Sequence, residues 1–202
     1  MKIQTFSMGQ NFTNCYVVFD ESTKAGFCVD VCDRISDDYF DFIKNNHIQV
    51  EYLLLTHGHF DHTLDILSFL KQFPDTKIII SKTDYQNILN ATPVFCSPEA
   101  FCKPHEFACD GTELPFCGDA VTVIATPGHT DGSVCYRFGS MLFCGDTVFA
   151  GSVGRTDLPT GSMMQLMRSI HTIKQLGDLT LYPGHMGEST IASEMKYNPF
   201  FQ

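Results

Sequence analysis

No stretch of this chain approaches the ~20 consecutive apolar residues that cross a bilayer. The amino terminus, Met1-Lys2-Ile3-Gln4-Thr5-Phe6, lacks the apolar core of an export signal. Together these absences predict a cytoplasmic protein with no membrane partner. Positive charge is also sparse. Thirteen Lys and Arg are scattered against 23 Asp and Glu, for a net charge of −10. A nucleic-acid surface needs a basic stripe, so no nucleic-acid partner is expected. No Cys-x-x-Cys occurs among the nine cysteines, which argues against a paired-cysteine zinc knuckle. An odd set cannot all pair within one chain, and reduced thiols are the expectation. Internal repeats, low-complexity tracts and linkers are missing too. The 202 residues are therefore expected to form one domain, long enough for a sizeable core.

What is present is concentrated in one run, Thr56-His57-Gly58-His59-Phe60-Asp61-His62. Three imidazoles and a carboxylate follow directly on the apolar run Tyr52 to Leu55, which reads as a buried strand. The cluster thus sits where a strand ends and a loop begins, a usual place for a site on a rigid scaffold. Imidazole nitrogen and carboxylate oxygen suit zinc, iron or manganese. Three further segments repeat the arrangement: Thr126-Pro127-Gly128-His129, Phe143-Cys144-Gly145-Asp146 and Tyr182-Pro183-Gly184-His185. Each closes a β-like run and breaks at Gly or Pro. Any one alone is a common turn. With the first cluster they point to one site at a sheet rim.

The remaining periodicity gives strands near residues 1–7, 14–20 and 26–31, then a helix from Ser36-Asp37-Asp38 to about Asn46. Strand, helix, strand and helix follow at Val50 to Leu55, Leu64 to Gln72, Lys77 to Ile80 and Lys82 to Asn90. The middle region reads as loop, with His105 facing solvent. Cys28, Cys135 and Cys144 fall in apolar β-like runs and read as small core residues. Three strands lie between Val121 and Cys144. A long helix begins near Ser162, with Met163, Leu166, Met167, Ile170, Ile173 and Leu176 spaced as a buried stripe. A strand over Leu179 to Tyr182 and a short helix near Ile191 to Lys196 close the chain. Two β-rich groups mixed with helices fit two packed sheets with helices outside; alternation alone also allows a doubly wound sheet.

On these motifs the chain resembles the metallo-β-lactamase-fold metallohydrolases, and within them the short glyoxalase II-like (hydroxyacylglutathione hydrolase-like) subgroup. The resemblance runs over nearly the whole chain. It includes Phe149-Ala150-Gly151-Ser152-Val153-Gly154-Arg155-Thr156-Asp157-Leu158-Pro159, which looks like the loop after that subgroup's bridging aspartate. Two departures stand out. Met186-Gly187 follows His185 where the family more often has Gly-Pro, and residues 92–117 are unusually rich in Cys and Phe. Neither is expected to touch a ligand.

The resemblance implies an α/β fold of the αββα type, two packed β-sheets with outer helices, over 1–202. It implies no C-terminal glutathione-binding helical domain, since 17 residues follow His185. It implies two divalent metal ions, zinc with iron or manganese as alternatives. His57, His59 and His129 would hold one; Asp61, His62 and His185 the other; Asp146 would bridge them. The reaction implied is hydrolysis of a small-molecule acyl thioester of the S-D-lactoylglutathione type by a metal-bridging hydroxide, which Asp61 would also aim. Arg155 would pair with a substrate carboxylate, or else form a surface pair with Asp157 or another acid. A second resemblance, to persulfide dioxygenases of the same fold, would need one iron on His57, His129 and Asp146.

Overall fold

A computed structural model describes residues 1–202. The first sheet takes its strands in chain order: β1 (Lys2–Met8), β2 (Thr13–Phe19), β3 (Ala25–Val29), β4 (Gln49–Leu54), β5 (Lys77–Ile80) and β6 (Glu106–Phe107). Its first three strands are antiparallel hairpin neighbours. The β3–β4, β4–β5 and β5–β6 pairs are parallel. Parallel neighbours need crossovers. These carry the helices α1 (Asp37–Asn45), α2 (Phe60–Thr63), α3 (Ile66–Gln72) and α4 (Lys82–Leu89). The second sheet contains β7 (Glu113–Phe116), β8 (Asp119–Ala125), β9 (Val134–Phe138) and β10 (Met141–Gly145). A two-strand hairpin, β11 (Val148–Phe149) and β12 (Ser152–Val153), and the helix α5 (Met163–Lys174) follow. Then β13 (Thr180–Pro183) and β14 (Ser189–Thr190) complete that sheet in the order β14-β13-β10-β9-β8-β7, and α6 (Ile191–Tyr197) ends it.

Alternation along each strand sorts side chains into three apolar layers. Tyr16, Val18, Phe27, Val29 and Leu54 of the first sheet face Phe116, Val123, Tyr136, Phe138 and Phe143 of the second. The opposite faces take Cys15, Val17, Cys28 and Leu53 under Tyr39, Ile43, Phe69 and Ile88 of the first helical layer. Cys135, Leu142, Cys144 and Leu181 lie under Leu166, Ile170, Ile173 and Ile191 of the second. The result is the αββα sandwich, with Cys28, Cys135 and Cys144 as fully buried core residues.

Three readings of the sequence need correction. The helix expected over Leu64 to Gln72 starts only at Ile66, because Asp65 leaves helical geometry, accepts from Ile35 N–H at 2.8 Å and donates its own N–H to Cys32 O. The middle region contains the short strands β6 and β7 and is not all loop. Met163 and Met167 are 44% and 38% exposed, so α5 buries Leu166, Ser169, Ile170 and Ile173 instead. His105 is exposed as expected, yet its Nδ1 accepts the Ile78 N–H at 3.0 Å.

Buried tyrosines carry the fold into the site. Tyr136 OH donates to Leu55 O at 2.8 Å, one residue before Thr56. Tyr16 OH donates to Pro183 O at 2.6 Å, two residues before His185. Each anchor crosses from one sheet to the end of a strand in the other, so both sheets fix the strand-end loops. No helix is long and apolar enough to cross a membrane.

Candidate metal centre

All seven side chains singled out as ligands meet at one end of the sandwich. His57 and His59 follow β4, and Asp61 and His62 lie on the short α2. His129 sits between β8 and β9; Asp146 follows β10 and His185 follows β13. Their donor atoms form three overlapping groups, His57/His59/His129, His57/His62/Asp146 and Asp61/His62/His185, each within 4.8 Å. Asp146 faces both outer groups. Its Oδ1 is 3.4 Å from His62 Nε2, and its Oδ2 is 3.4 Å from His129 Nε2 and 3.6 Å from His185 Nε2.

The outer ring nitrogens settle the tautomers. His62 Nδ1–H donates to Asp30 Oδ2 at 2.8 Å. His129 Nδ1–H donates to Arg155 O at 2.8 Å, and His185 Nδ1–H donates to Asn11 O at 3.1 Å. Thr56 Oγ–H donates to Asp30 Oδ2 at 2.8 Å, so Thr56 accepts His57 Nδ1–H at 3.1 Å. Four histidines therefore turn Nε2 inward, leaving that nitrogen to face a metal. His59 is reversed. Its Nδ1 lies 3.0 Å from His129 Nε2, while its Nε2 is buried without a partner. That outer edge meets the Phe95 ring, 4.9 Å between centroids.

This arrangement fits a bound cation. His57 Nε2 and Asp146 Oδ1 are buried with no hydrogen-bond partner. His59 Nδ1 and His129 Nε2 lie 3.0 Å apart, and His62 Nε2 and His185 Nε2 3.3 Å apart, so nitrogen donors crowd around these two atoms. A divalent metal would satisfy the unpartnered pair, and the N/O set suits zinc, iron or manganese.

Charge follows the same geometry. Burial, reinforced by His62, pushes His57 well below the ordinary histidine range; burial and His129 push His59 down to about 3. Burial works against a charged His62, but the Asp146 and Asp30 carboxylates outweigh it and hold it well above that range. Burial likewise opposes ionised Asp146 and Asp61. The charge of His62 keeps Asp146 low, while the His185 bond, the His62 charge and the Asn11 amide keep Asp61 low. Both carboxylates are thus available as anionic ligands.

Several residues that hold the site were not singled out from the sequence. Asp30 accepts Thr56 N–H and Oγ–H together with His62 Nδ1–H, so one carboxylate holds both ends of the first ligand run. Asn11 Nδ2 donates to Asp61 Oδ2 at 2.9 Å while its carbonyl fixes His185. Asn14 Nδ2 donates to Pro183 O at 3.1 Å and Met186 O at 2.8 Å, clamping the His185 turn. Asp84, on α4, accepts Gly58 N–H and Thr130 Oγ–H, both at 2.8 Å. It joins the first histidine loop to the His129 loop. Only Asp30 had a legible signal, an acid closing the apolar run of β3. The expectation that segment 92–117 touches no ligand is corrected. Phe95 packs on His59, Val94 O accepts Phe60 N–H at 3.0 Å, and Cys96 N–H donates to Gly58 O at 3.0 Å. Gly58 has no room for a Cβ, which would lie 2.8 Å from the Phe95 ring.

A cavity of about 610 Å³ opens over the ligands, walled by Phe60, Val94, Phe149, Val153 and Leu158, with Asn11, Ser152 and Arg155 at its polar edge. Arg155 borders this cavity. Its fork is closed on Asp157, with Nε to Oδ1 and Nη2 to Oδ2 both 2.7 Å.

Comparisons with known proteins agree with this geometry. Residues 8–185 match the metallo-beta-lactamase superfamily model. A hydroxyacylglutathione hydrolase of Francisella philomiragia is 31% identical over 190 residues, covering 92% of this chain and 68% of that protein. The crystal structure of the BLEG-1 B3 metallo-beta-lactamase superposes with a TM-score of 0.85 at 27% identity, covering 100% of both chains. That of ETHE1 from Myxococcus xanthus gives 0.82 at 25% identity, covering 98% of this chain and 84% of the other. With its ligand constellation assembled at the sandwich rim and nearly its whole length matched, the chain belongs to the metallo-β-lactamase superfamily.

Proposed function

We propose that the chain is a binuclear metal-dependent hydrolase of acyl thioesters, with S-D-lactoylglutathione as the first substrate to try. The observation that carries this reading is the second donor group, Asp61, His62 and His185, standing beside His57, His59 and His129 with Asp146 facing both. A mononuclear site has no use for it. Divalent metal held by these residues supplies Lewis acidity, which brings the pKa of water to about 7 and polarises a carbonyl.

The chain's own groups do the rest. Asp61, kept ionised and tethered by Asn11, accepts a hydrogen bond from the attacking water and aims it. Asp30, Arg155 O and Asn11 O hold the ligand rings in the required tautomer. Phe60, Val94, Phe149 and Leu158 exclude bulk water and take the apolar part of the acyl group. The thiolate leaving group is stable near neutral pH, so no general acid is required. The similarity to a hydroxyacylglutathione hydrolase supports the same chemistry.

The competing reading is an iron persulfide dioxygenase using His57, His129 and Asp146. The test replaces His185 with Ala and follows thiol release from lactoylglutathione and oxygen uptake with glutathione persulfide. Hydrolysis predicts thiol release in the wild type, a steep loss in the variant and no oxygen uptake in either. Oxygen uptake surviving His185→Ala, without wild-type thioester turnover, contradicts it. A β-lactam belongs in the same panel, given the likeness to BLEG-1.

A further inference from the structure

The thiol carrier is the part of the substrate that lies outside the chemistry, and the cavity edge bears on it. Arg155 is the one guanidinium or ammonium bordering the cavity. Its backbone is pinned, because Arg155 O accepts the His129 Nδ1–H at 2.8 Å. Gly154, just before it, is packed so closely on Asp146 O that no Cβ fits. The other end of the loop is closed by the Gly161 N–H to Leu158 O bond at 2.9 Å. Arg155 and Asp157 are two apart in the loop after β12, and their side chains meet. Asp157 takes the Nε/Nη2 edge of the guanidinium, with both bonds at 2.7 Å.

We propose that Asp157 is a specificity residue: by occupying Arg155 it withholds the pocket's carboxylate anchor and selects acyl thioesters of uncharged thiol carriers over dicarboxylate carriers such as glutathione. The proposal rests on the thioester reading and narrows it. Magnitudes decide between the two carboxylates that compete for Arg155. Both side chains are well exposed, 61% and 66%, so the pair is intrinsically weak. But Asp157 is tethered two residues away, at an effective concentration on the order of millimolar or above. A substrate carboxylate that takes the same edge must displace it, at a cost of about two- to fivefold in affinity. The rest of the wall, Phe60, Val94, Phe149, Val153 and Leu158, offers contact to apolar or neutral groups.

The test uses the metal-loaded protein and two thioethers with the same S-hexyl tail, S-hexylglutathione and S-hexyl-N-acetylcysteamine. Calorimetry reads their affinities, and thiol release is followed from the lactoyl thioesters of both carriers. Wild type should bind the neutral thioether more tightly. Asp157→Asn should raise affinity for S-hexylglutathione about two- to fivefold relative to the neutral probe, the range an exposed ion pair spans. That gain should fade with added salt, vanish when Arg155→Gln is added, and be absent in Asp157→Glu. Tighter wild-type binding of S-hexylglutathione, or a ratio that Asp157→Asn leaves unmoved, overturns the proposal. If the binding pattern holds but neither thioester is turned over, the hydrolase reading fails and the assignment of Asp157 stands.

Discussion

Replacing Asp84 with Asn removes one buried negative charge while keeping the shape of the side chain. Asp84 is fully buried, and no cation pairs with it. Burial raises its carboxyl to about 6 from an ordinary 3.8, against the lowering bonds from Thr130 and Gly58. The shift of about 2.2 units, 6 minus 3.8, corresponds to roughly 3 kcal/mol. The folded pKa lies above the unfolded one, so the folded state binds the proton more tightly. The stabilising contribution is present below pH 3.8 and is lost as pH rises through 6. The Asn oxygen can still accept from Gly58 and Thr130, which share Oδ2, and only the 3.3 Å Asn87 contact to Oδ1 is turned. That cost does not vary with pH. Urea unfolding of chelated wild type and Asp84→Asn between pH 4 and 7.5 therefore isolates the carboxylate, because other titrations cancel in the difference. The wild type should lose roughly 2.4 kcal/mol of that contribution relative to the variant on going from pH 4 to 7.5, the rest lying below pH 4. A difference that is flat with pH, or that favours the wild type as pH rises, refutes the reasoning.

Three other outcomes follow from the site. Asp61→Asn should keep the fold yet lose at least ~10²-fold in thioester turnover, because it weakens the second donor group and misaims the water; near-wild-type turnover contradicts its role. Asn11→Ala removes the amide that tethers Asp61, and competition with a chelator should show the second metal bound roughly 10-fold more weakly, with the first unaffected. His105→Ala should leave metal content and turnover unchanged but cost about 1 kcal/mol in urea unfolding, since its ring accepts the Ile78 N–H; His47→Ala, at an exposed position, should change neither.

The ligand set was legible because each ligand closes a local pattern, an apolar run broken by His-x-His, Pro-Gly-His or Gly-Asp. Its support was not. Asn11 and Asp61 are 50 positions apart, and Asp84 lies 26 from Gly58 and 46 from Thr130. Asp84 also reads as an ordinary first-turn acid behind the Ser81 cap, whose Oγ accepts its N–H. The layers were ambiguous for a related reason. Every residue of β2 is buried, so its sequence shows no alternation to tell inner from outer face. On α5 the apolar count misled. Ser169 occupies the buried stripe by donating to Pro127 O at 2.7 Å, while Met163 and Met167 are left at the surface. Gly128 decides that placement, since its Cα presses on Leu166 so closely that a Cβ would lie 2.4 Å from the backbone.

The central claim is that two metal ions sit in one chain, one on each side of Asp146. Chelated protein titrated with zinc in a calorimeter, at fixed pH in buffers of different ionisation enthalpy, tests it directly. The account predicts saturation at two equivalents, with proton release on filling the His62 side, where Asp146 and Asp30 hold the ring protonated. Saturation at one equivalent, unchanged when Asp61 and His62 are both replaced by Ala, would contradict it.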